Sequence, residues 1–218
     1  MMSLGQDDSN RRVFLKRVVA SSVGLWAALN FGQAIAQRVP NHARIACVYA
    51  TRYGATRDNA EWIASGINQD VSLFDIEIDA VNRVVADYDF VIVGSGVWRE
   101  GVHAAIKSFV ADYADHLTDK LIASFVVCGT QANSEKNKKR IEGYFAGMHE
   151  SLPRAPHLYQ ALGGRLRVDQ LNEEDRAKLT RFYTKVLKRE LKSWDRTDKQ
   201  AALSFASKVH GRTEQQHG

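Results

Sequence analysis

Val48-Tyr49-Ala50-Thr51-Arg52-Tyr53-Gly54-Ala55-Thr56 carries the chain from an apolar run into a short loop rich in hydroxyls. The run that feeds it, Arg44 to Ala50 (RIACVYA), is short, apolar and β-favouring, the pattern of a buried strand. Beyond the loop, Ala60, Ile63, Ala64 and Ile67 fall on one face of a helix. A strand, a Thr-x-x-Gly-x-Thr loop and a helix in that order aim unpaired N–H groups and a positive dipole end at the loop. Gly54 lets the backbone curl close to a ligand. Thr51 and Thr56 add hydroxyl donors without charge. The loop lacks the Gly-Lys-Ser/Thr ending of a Walker A motif and the three-glycine dinucleotide fingerprint. Taken alone, it also reads as a Thr-capped helix that binds nothing.

Outward from this loop, strands and helices alternate. Val71 to Ala80 (VSLFDIEIDA) alternates apolar and polar residues, with Leu73 breaking the register, as an edge or half-covered strand does. Phe90 to Val93 is a continuous apolar run closed by Gly94-Ser95-Gly96. His103 to Tyr113 has helical spacing through Ala105, Ile106, Phe109 and Val110. Leu121 to Cys128 is another buried strand, ended by Gly129-Thr130. A polar stretch, Gln131 to Lys139, leads into a helix with Ile141, Tyr144, Phe145 and Met148, stopped by Pro153 and Pro156. His157 to Leu162 is the last strand expected. Glu173 to Trp194 is expected as the longest helix, and residues 196–218 as a polar, frayed tail. Strands spaced by helices imply an α/β domain, a doubly wound parallel sheet in three layers, over residues 42–195.

Such sheets bind ligands outside the carboxyl ends of their strands. That places the chemistry in the loops after the first, third and fourth strands. In the second of these, Gly94-Ser95-Gly96-Val97-Trp98, small residues allow a flat ring to approach and Trp98 can shield it from water. The alternative is a Trp packed on the neighbouring helix. The third, Gly129-Thr130-Gln131-Ala132-Asn133, forms another wall or is an ordinary polar loop.

Together these blocks resemble the flavodoxin-like superfamily, and within it the flavodoxin-type, menaquinone-dependent protoporphyrinogen IX dehydrogenases. The resemblance is carried by Thr51 to Arg57, by Tyr88 to Trp98 with Gly101 and His103, and by Ala161-Leu162-Gly163-Gly164-Arg165-Leu166, and it spans about Arg44 to Trp194. It implies a five-stranded parallel sheet in the order 2-1-3-4-5 and a non-covalent FMN. The FMN phosphate would lie against Thr51, Arg52, Gly54, Ala55 and Thr56, with Tyr53 in the same loop. The ring would lie between Ser95, Gly96, Val97 and Trp98 on one side and Gly129, Thr130 and Gln131 on the other. Members of that dehydrogenase family act on heme precursors at the cytoplasmic membrane face and carry no export leader. They have a basic insertion after the fourth strand, of which Lys136, Lys138, Lys139 and Arg140 keep the character.

The N-terminus departs from that family. Asn10-Arg11-Arg12-Val13-Phe14-Leu15-Lys16 resembles a twin-arginine export motif, followed by a diluted apolar stretch from Val18 and the small-x-small end Ala34-Ile35-Ala36. The expectation is a signal peptide over residues 1–36 and a periplasmic protein beginning at Gln37. A retained anchor and an amphipathic helix are the alternatives. The expected partners are the twin-arginine export machinery and a membrane quinone or a redox protein.

The chain of 218 residues carries a formal charge of +5. Without the leader's four basic and two acidic residues it carries +3. The basic helix from Arg176 to Lys192 is a solvated face or a contact with anionic lipid or an acidic redox partner. No recognition motif accompanies the charge, so no nucleic acid is expected. The seven His form no metal-ligand spacing, and no Gly-x-Ser-x-Gly elbow supports a serine hydrolase. Cys47 and Cys128 fall on strands separated by a third in this order, roughly 9–10 Å apart, beyond bridging reach.

Overall fold

Every residue of β1 (Ile45–Ala50) is buried, because helices cover both faces of the sheet it belongs to. The computed structural model describes residues 43–99 and 101–217, so the expected leader lies outside the described residues. After β1 come α1 (Ala55–Gly66), β2 (Val71–Asp75), α2 (Val84–Asp87), β3 (Phe90–Trp98), β4 (Gly101–Val102), α3 (Ala104–Asp112) and α4 (Ala114–Lys120). The chain continues through β5 (Leu121–Cys128), α5 (Glu135–His149), β6 (Leu158–Gly163), β7 (Arg165–Leu166), α6 (Glu173–Lys185), β8 (Trp194–Asp195) and α7 (Lys199–His217).

The parallel strands lie in the order β2-β1-β3-β5-β6. Counted through the parallel strands alone, that is the expected 2-1-3-4-5 order of a flavodoxin-like fold. Successive residues of β1 alternate between two cores. Ile45, Cys47 and Tyr49 face α1 and α7 with Ile63, Phe205 and Val209. Ala46, Val48 and Ala50 face α3 and α5 with Ile106, Phe109, Phe145 and Met148. The two cysteines are free and buried, on opposite faces as well as on strands separated by β3.

Four expectations are corrected. The polar tail is α7, a helix whose Ala202, Phe205, Ala206 and Val209 are fully buried. Their spacing is helical, but the stripe is narrow and half alanine, so a polar composition hid it. It packs closely on α1: a Cβ on Gly66 would stand 2.8 Å from the Ala206 Cβ. The helix from Glu173 ends at Lys185, and α7 is the longest. Lys188, at φ 53, reverses the chain while the N–H groups of Leu187 and Arg189 fold back on Phe182 and Tyr183. The second strand stops at Asp75, whose C=O accepts from Ile78 and Asp79 in a turn. A difference of the same kind bears on the site. β3 runs on past Val93 to Trp98 and pairs antiparallel with β4, so the expected second loop is largely strand.

Between β6 and α7 the chain makes an excursion closed at its base by the β7–β8 pair. Its own small core, Leu166, Leu171 and Tyr183, packs against Tyr53 and Trp98 at the carboxyl ends of the strands. This excursion forms the outer wall of the site.

Candidate functional site

The loop after β1 is shaped by two local contacts. Thr51 Oγ1 accepts a hydrogen bond of 3.0 Å from the Gly54 N–H. Gly54, at φ 84, sits in the left-handed region and caps α1 with no side-chain hydrogen bond. The starts of α3, α5 and α6 are capped by His103, Ser134 and Asn172, whose side chains accept from the first turn. At α1 the N–H groups of Ala55 and Thr56 precede the first intrahelical bond, from the Asp58 N–H to the Gly54 C=O, and have no side-chain cap. They open on a cavity of about 1270 Å³.

That cavity is lined by Thr51, Arg52, Tyr53, Ala55 and Thr56, by Gly96, Val97 and Trp98, and by Gly129, Thr130 and Gln131. The structure therefore brings together eleven of the thirteen expected site residues. Gly54 shapes the loop without lining the cavity. Ser95 stands behind the wall, fully buried, donating to the Gly96 C=O at 2.9 Å and accepting from the His103 N–H at 2.8 Å. Close approach explains the wall glycines. A Cβ on Gly96 would stand 2.9 Å from Thr56 Oγ1, and one on Gly129 would stand 2.7 Å from the Trp194 ring.

The side chains of Arg52 and Tyr53 turn away from α1 toward α6. Arg52 Nε and Nη2 each donate to Asp175 at 2.6 Å, and Tyr53 OH donates to the same carboxylate at 2.5 Å. Asp175 is fully buried. Burial pushes its carboxyl up, but the bonds from Arg52 and Tyr53 outweigh that and hold it below the ordinary range. Burial and the hydrogen bond to Asp175 raise the Tyr53 phenol. Arg52 also lies over the Trp98 ring, 4.8 Å from its centroid, with Tyr53 at 6.0 Å. Trp98 thus lines the cavity with one neighbourhood already occupied by the latch that Arg52 and Tyr53 form with Asp175.

Residues that the strand-end loops did not reveal complete the wall. Arg165 reaches back from β7 to pair with Asp58 in the first turn of α1. Trp194 stands over Gly129, donates from Nε1 to Tyr183 OH at 2.9 Å, and is covered by Arg196 at 4.9 Å. Tyr144, Arg140, Lys178, Arg181, Phe182, Lys185 and Arg189 extend the lining. Part of the basic face of α6 therefore looks into the cavity. The paired glycines before Arg165 and the isolated Trp194 are the available signals. Among the described residues no group of His, Cys, Asp or Glu could hold a metal ion, and no helix is long and apolar enough to cross a membrane.

Several solved structures are similar to this chain at low identity. Oxidised flavodoxin 1 from Bacillus cereus is 16% identical over 77% of this chain and 97% of its own, with a TM-score of 0.46. The WrbA-like flavodoxin from Agrobacterium tumefaciens is 16% identical over 79% and 98%, at 0.45. Fusobacterium nucleatum flavodoxin bound to flavin mononucleotide is 12% identical over 78% and 98%, at 0.48. No curated protein matches the chain. The family model described as the flavodoxin domain matches residues 46–193, more than half of the chain, and the chain belongs to that family.

Proposed function

We propose that this chain binds FMN in the cavity and is an oxidoreductase. The observation that carries the reading is the start of α1, uncapped, turned by Gly54 at positive φ, and open to a cavity at the carboxyl ends of β1, β3 and β5. The residues present fit the group. The N–H groups of Ala55 and Thr56 and the Thr56 hydroxyl would hold the phosphate. A flat ring would lie along the stretch of the cavity lined by Gly96, Val97, Trp98, Gly129 and Thr130. Bound FMN supplies the electron-transfer chemistry. The chain's share is to orient it, exclude water with Trp98, Tyr183 and Trp194, and position a second reactant.

The outer wall favours a small-molecule reactant over a docked carrier protein. The excursion between β7 and β8 stands over the strand ends, where a protein partner would need an exposed ring edge. A cavity of about 1270 Å³ exceeds the roughly 300–1,000 Å³ of an ordinary small-molecule site. The lining also includes aromatic Tyr144 and Phe182 and basic Arg181, Lys185 and Arg189. That combination suits a large anionic substrate with aromatic rings, as expected of a protoporphyrinogen dehydrogenase-like enzyme that passes electrons to membrane quinone. With the twin-arginine leader, the proposed site of action is the periplasmic membrane face.

The test is the visible spectrum of the protein purified from periplasm, with mass analysis of the released chromophore, followed by anaerobic reduction and reoxidation by a menaquinone analogue with and without porphyrinogen. A yellow protein that oxidises porphyrinogen with quinone supports the reading. A yellow protein that exchanges electrons only with redox proteins replaces it with a carrier. A colourless protein that takes up no FMN removes it.

A further inference from the structure

Arg165 leaves the backbone from a point clamped on several sides. The Gly164 N–H donates to the Cys128 C=O at 3.0 Å, the Arg196 N–H donates to the Gly164 C=O at 2.9 Å, and Arg165 itself pairs with Asp195 across β7 and β8. From there the side chain reaches the start of α1. Only 16% of it is exposed, and it lines the cavity beside Ala55 and Thr56. Nη1 pairs with Asp58 Oδ2, while Nη2 stands 3.3 Å from where a Cβ on Gly54 would be. Nε is buried and has no hydrogen-bond partner.

A guanidinium has five N–H donors, and a single carboxylate oxygen meets little of that capacity. Burying such a cation with an orphaned donor is unfavourable for folding alone. Its position adds a second difficulty. The uncapped N-terminus of α1 is the positive end of a helix dipole, and a cation over it is repelled. Asp58, in the first turn, offsets part of this. An anion lying between the α1 N–H groups and Nη2 would offset the rest. Arg52, the cation that the loop itself supplies, is committed to Asp175.

We infer that Arg165 is the charged partner of the ligand phosphate at the start of α1, and that it makes the site select a phosphorylated flavin over an unphosphorylated one. The inference rests on the FMN reading. It differs from a purely structural Arg165–Asp58 pair in what it requires of two ligands that share a ring and differ in a phosphate.

FMN and riboflavin are titrated by fluorescence against the wild type, Arg165→Gln and Arg165→Lys. Arg165→Gln should weaken FMN by about 10- to 150-fold, the range for a hydrogen bond to a charged group. Riboflavin, which lacks the phosphate, should change by less than about threefold on the same scale. Arg165→Lys should recover part of the FMN affinity as a point charge without the planar fork. Riboflavin binding also reports that each variant is folded. If both flavins weaken together, or the FMN-to-riboflavin ratio stays at the wild-type value, Arg165 is a structural partner of Asp58 and the inference fails while the FMN reading stands. A wild type that binds neither flavin overturns both.

Discussion

Thr51 and Thr56 lie five residues apart and differ in role. Thr51 Oγ1 is spent on the Gly54 N–H and holds the loop's shape. Thr56, at the start of α1, lines the cavity against Gly96. Thr56→Ala should therefore weaken FMN by about 10- to 150-fold and leave riboflavin nearly unchanged. Equal effects on the two flavins would make Thr56 a packing residue. His149 illustrates a residue whose role is stability. It is buried against Phe145 and Tyr159, with Nε2 2.9 Å from Ser124 Oγ. Burial lowers its pKa from 6.5 to about 4. The folded pKa lies below the unfolded one, so the neutral ring contributes stability that is present above about 6.5 and is lost as pH falls toward 4. Between pH 7.5 and 5 the loss should be about 2 kcal/mol. Urea midpoints at the two pH values measure it, and a His149→Leu, Ser124→Ala double variant, which removes both polar partners, should show a flatter dependence. At this scale the sequence made Thr51, Gly54 and Thr56 legible because strand, loop and helix are neighbours along the chain. It did not reveal Asp175 or Arg165, whose partners lie 123 and 107 residues away. Nothing local to α6 or β7 marks such a pairing.

The excursion from β7 to β8 is tied to the loop after β1 by one buried carboxylate. Asp175 accepts from Arg52 and Tyr53, and the Asn172 N–H donates to Tyr53 OH at 3.4 Å. Asp175→Asn keeps the size and removes the charge. Arg52 is partly exposed, so solvent screens the loss to about 1–2 kcal/mol. Opening of the outer wall should then rise roughly 5- to 30-fold, read as faster tryptic cleavage at Lys185 or Arg189 and faster FMN release. Unchanged cleavage would show that the small core around Tyr183 holds the wall without the latch. On the opposite side α7 closes the core. Phe205→Ala should cost about 3–5 kcal/mol, whereas a frayed tail would lose nothing, and thermal or urea unfolding separates the two. The elements themselves show why one was read and another missed. β1, β5 and the first half of β3 are dominated by apolar residues, so their burial on two faces is written in composition. α7 is held by four residues at helical spacing among polar ones, and two of the four are alanine. The apolar pattern from Glu173 overshoots the helix because apolar residues recur through Leu191 and Trp194, where they serve the excursion's own core after the chain has reversed at Lys188.

At the scale of the whole molecule, topology and destination constrain each other. Cys47 and Cys128 face opposite layers, and burial pushes the Cys47 thiol up to about 12. Neither is placed to bridge, so thiol labelling of the denatured, unreduced protein should find two free thiols per chain even after export to an oxidising compartment. An intramolecular bridge in the mass map would contradict the strand order. Export by the twin-arginine route, the destination proposed here, suits a protein whose cofactor lies behind a packed wall, since that route carries folded proteins. The motive is Arg11-Arg12 with the Ala34-Ile35-Ala36 end. Changing both arginines to lysine keeps the charge and removes the paired guanidinium groups that the export receptor reads. The variant should accumulate in the cytoplasm as full-length precursor and should still be yellow, because the flavodoxin domain, matched over residues 46–193, begins after the leader. Wild-type protein should appear in the periplasm with Gln37 as its first residue, seen by intact mass. Undiminished export of the lysine variant would exclude the twin-arginine route. A wild-type chain of full mass in the membrane fraction would mean that the leader is kept as an anchor, holding the cavity close to membrane quinone.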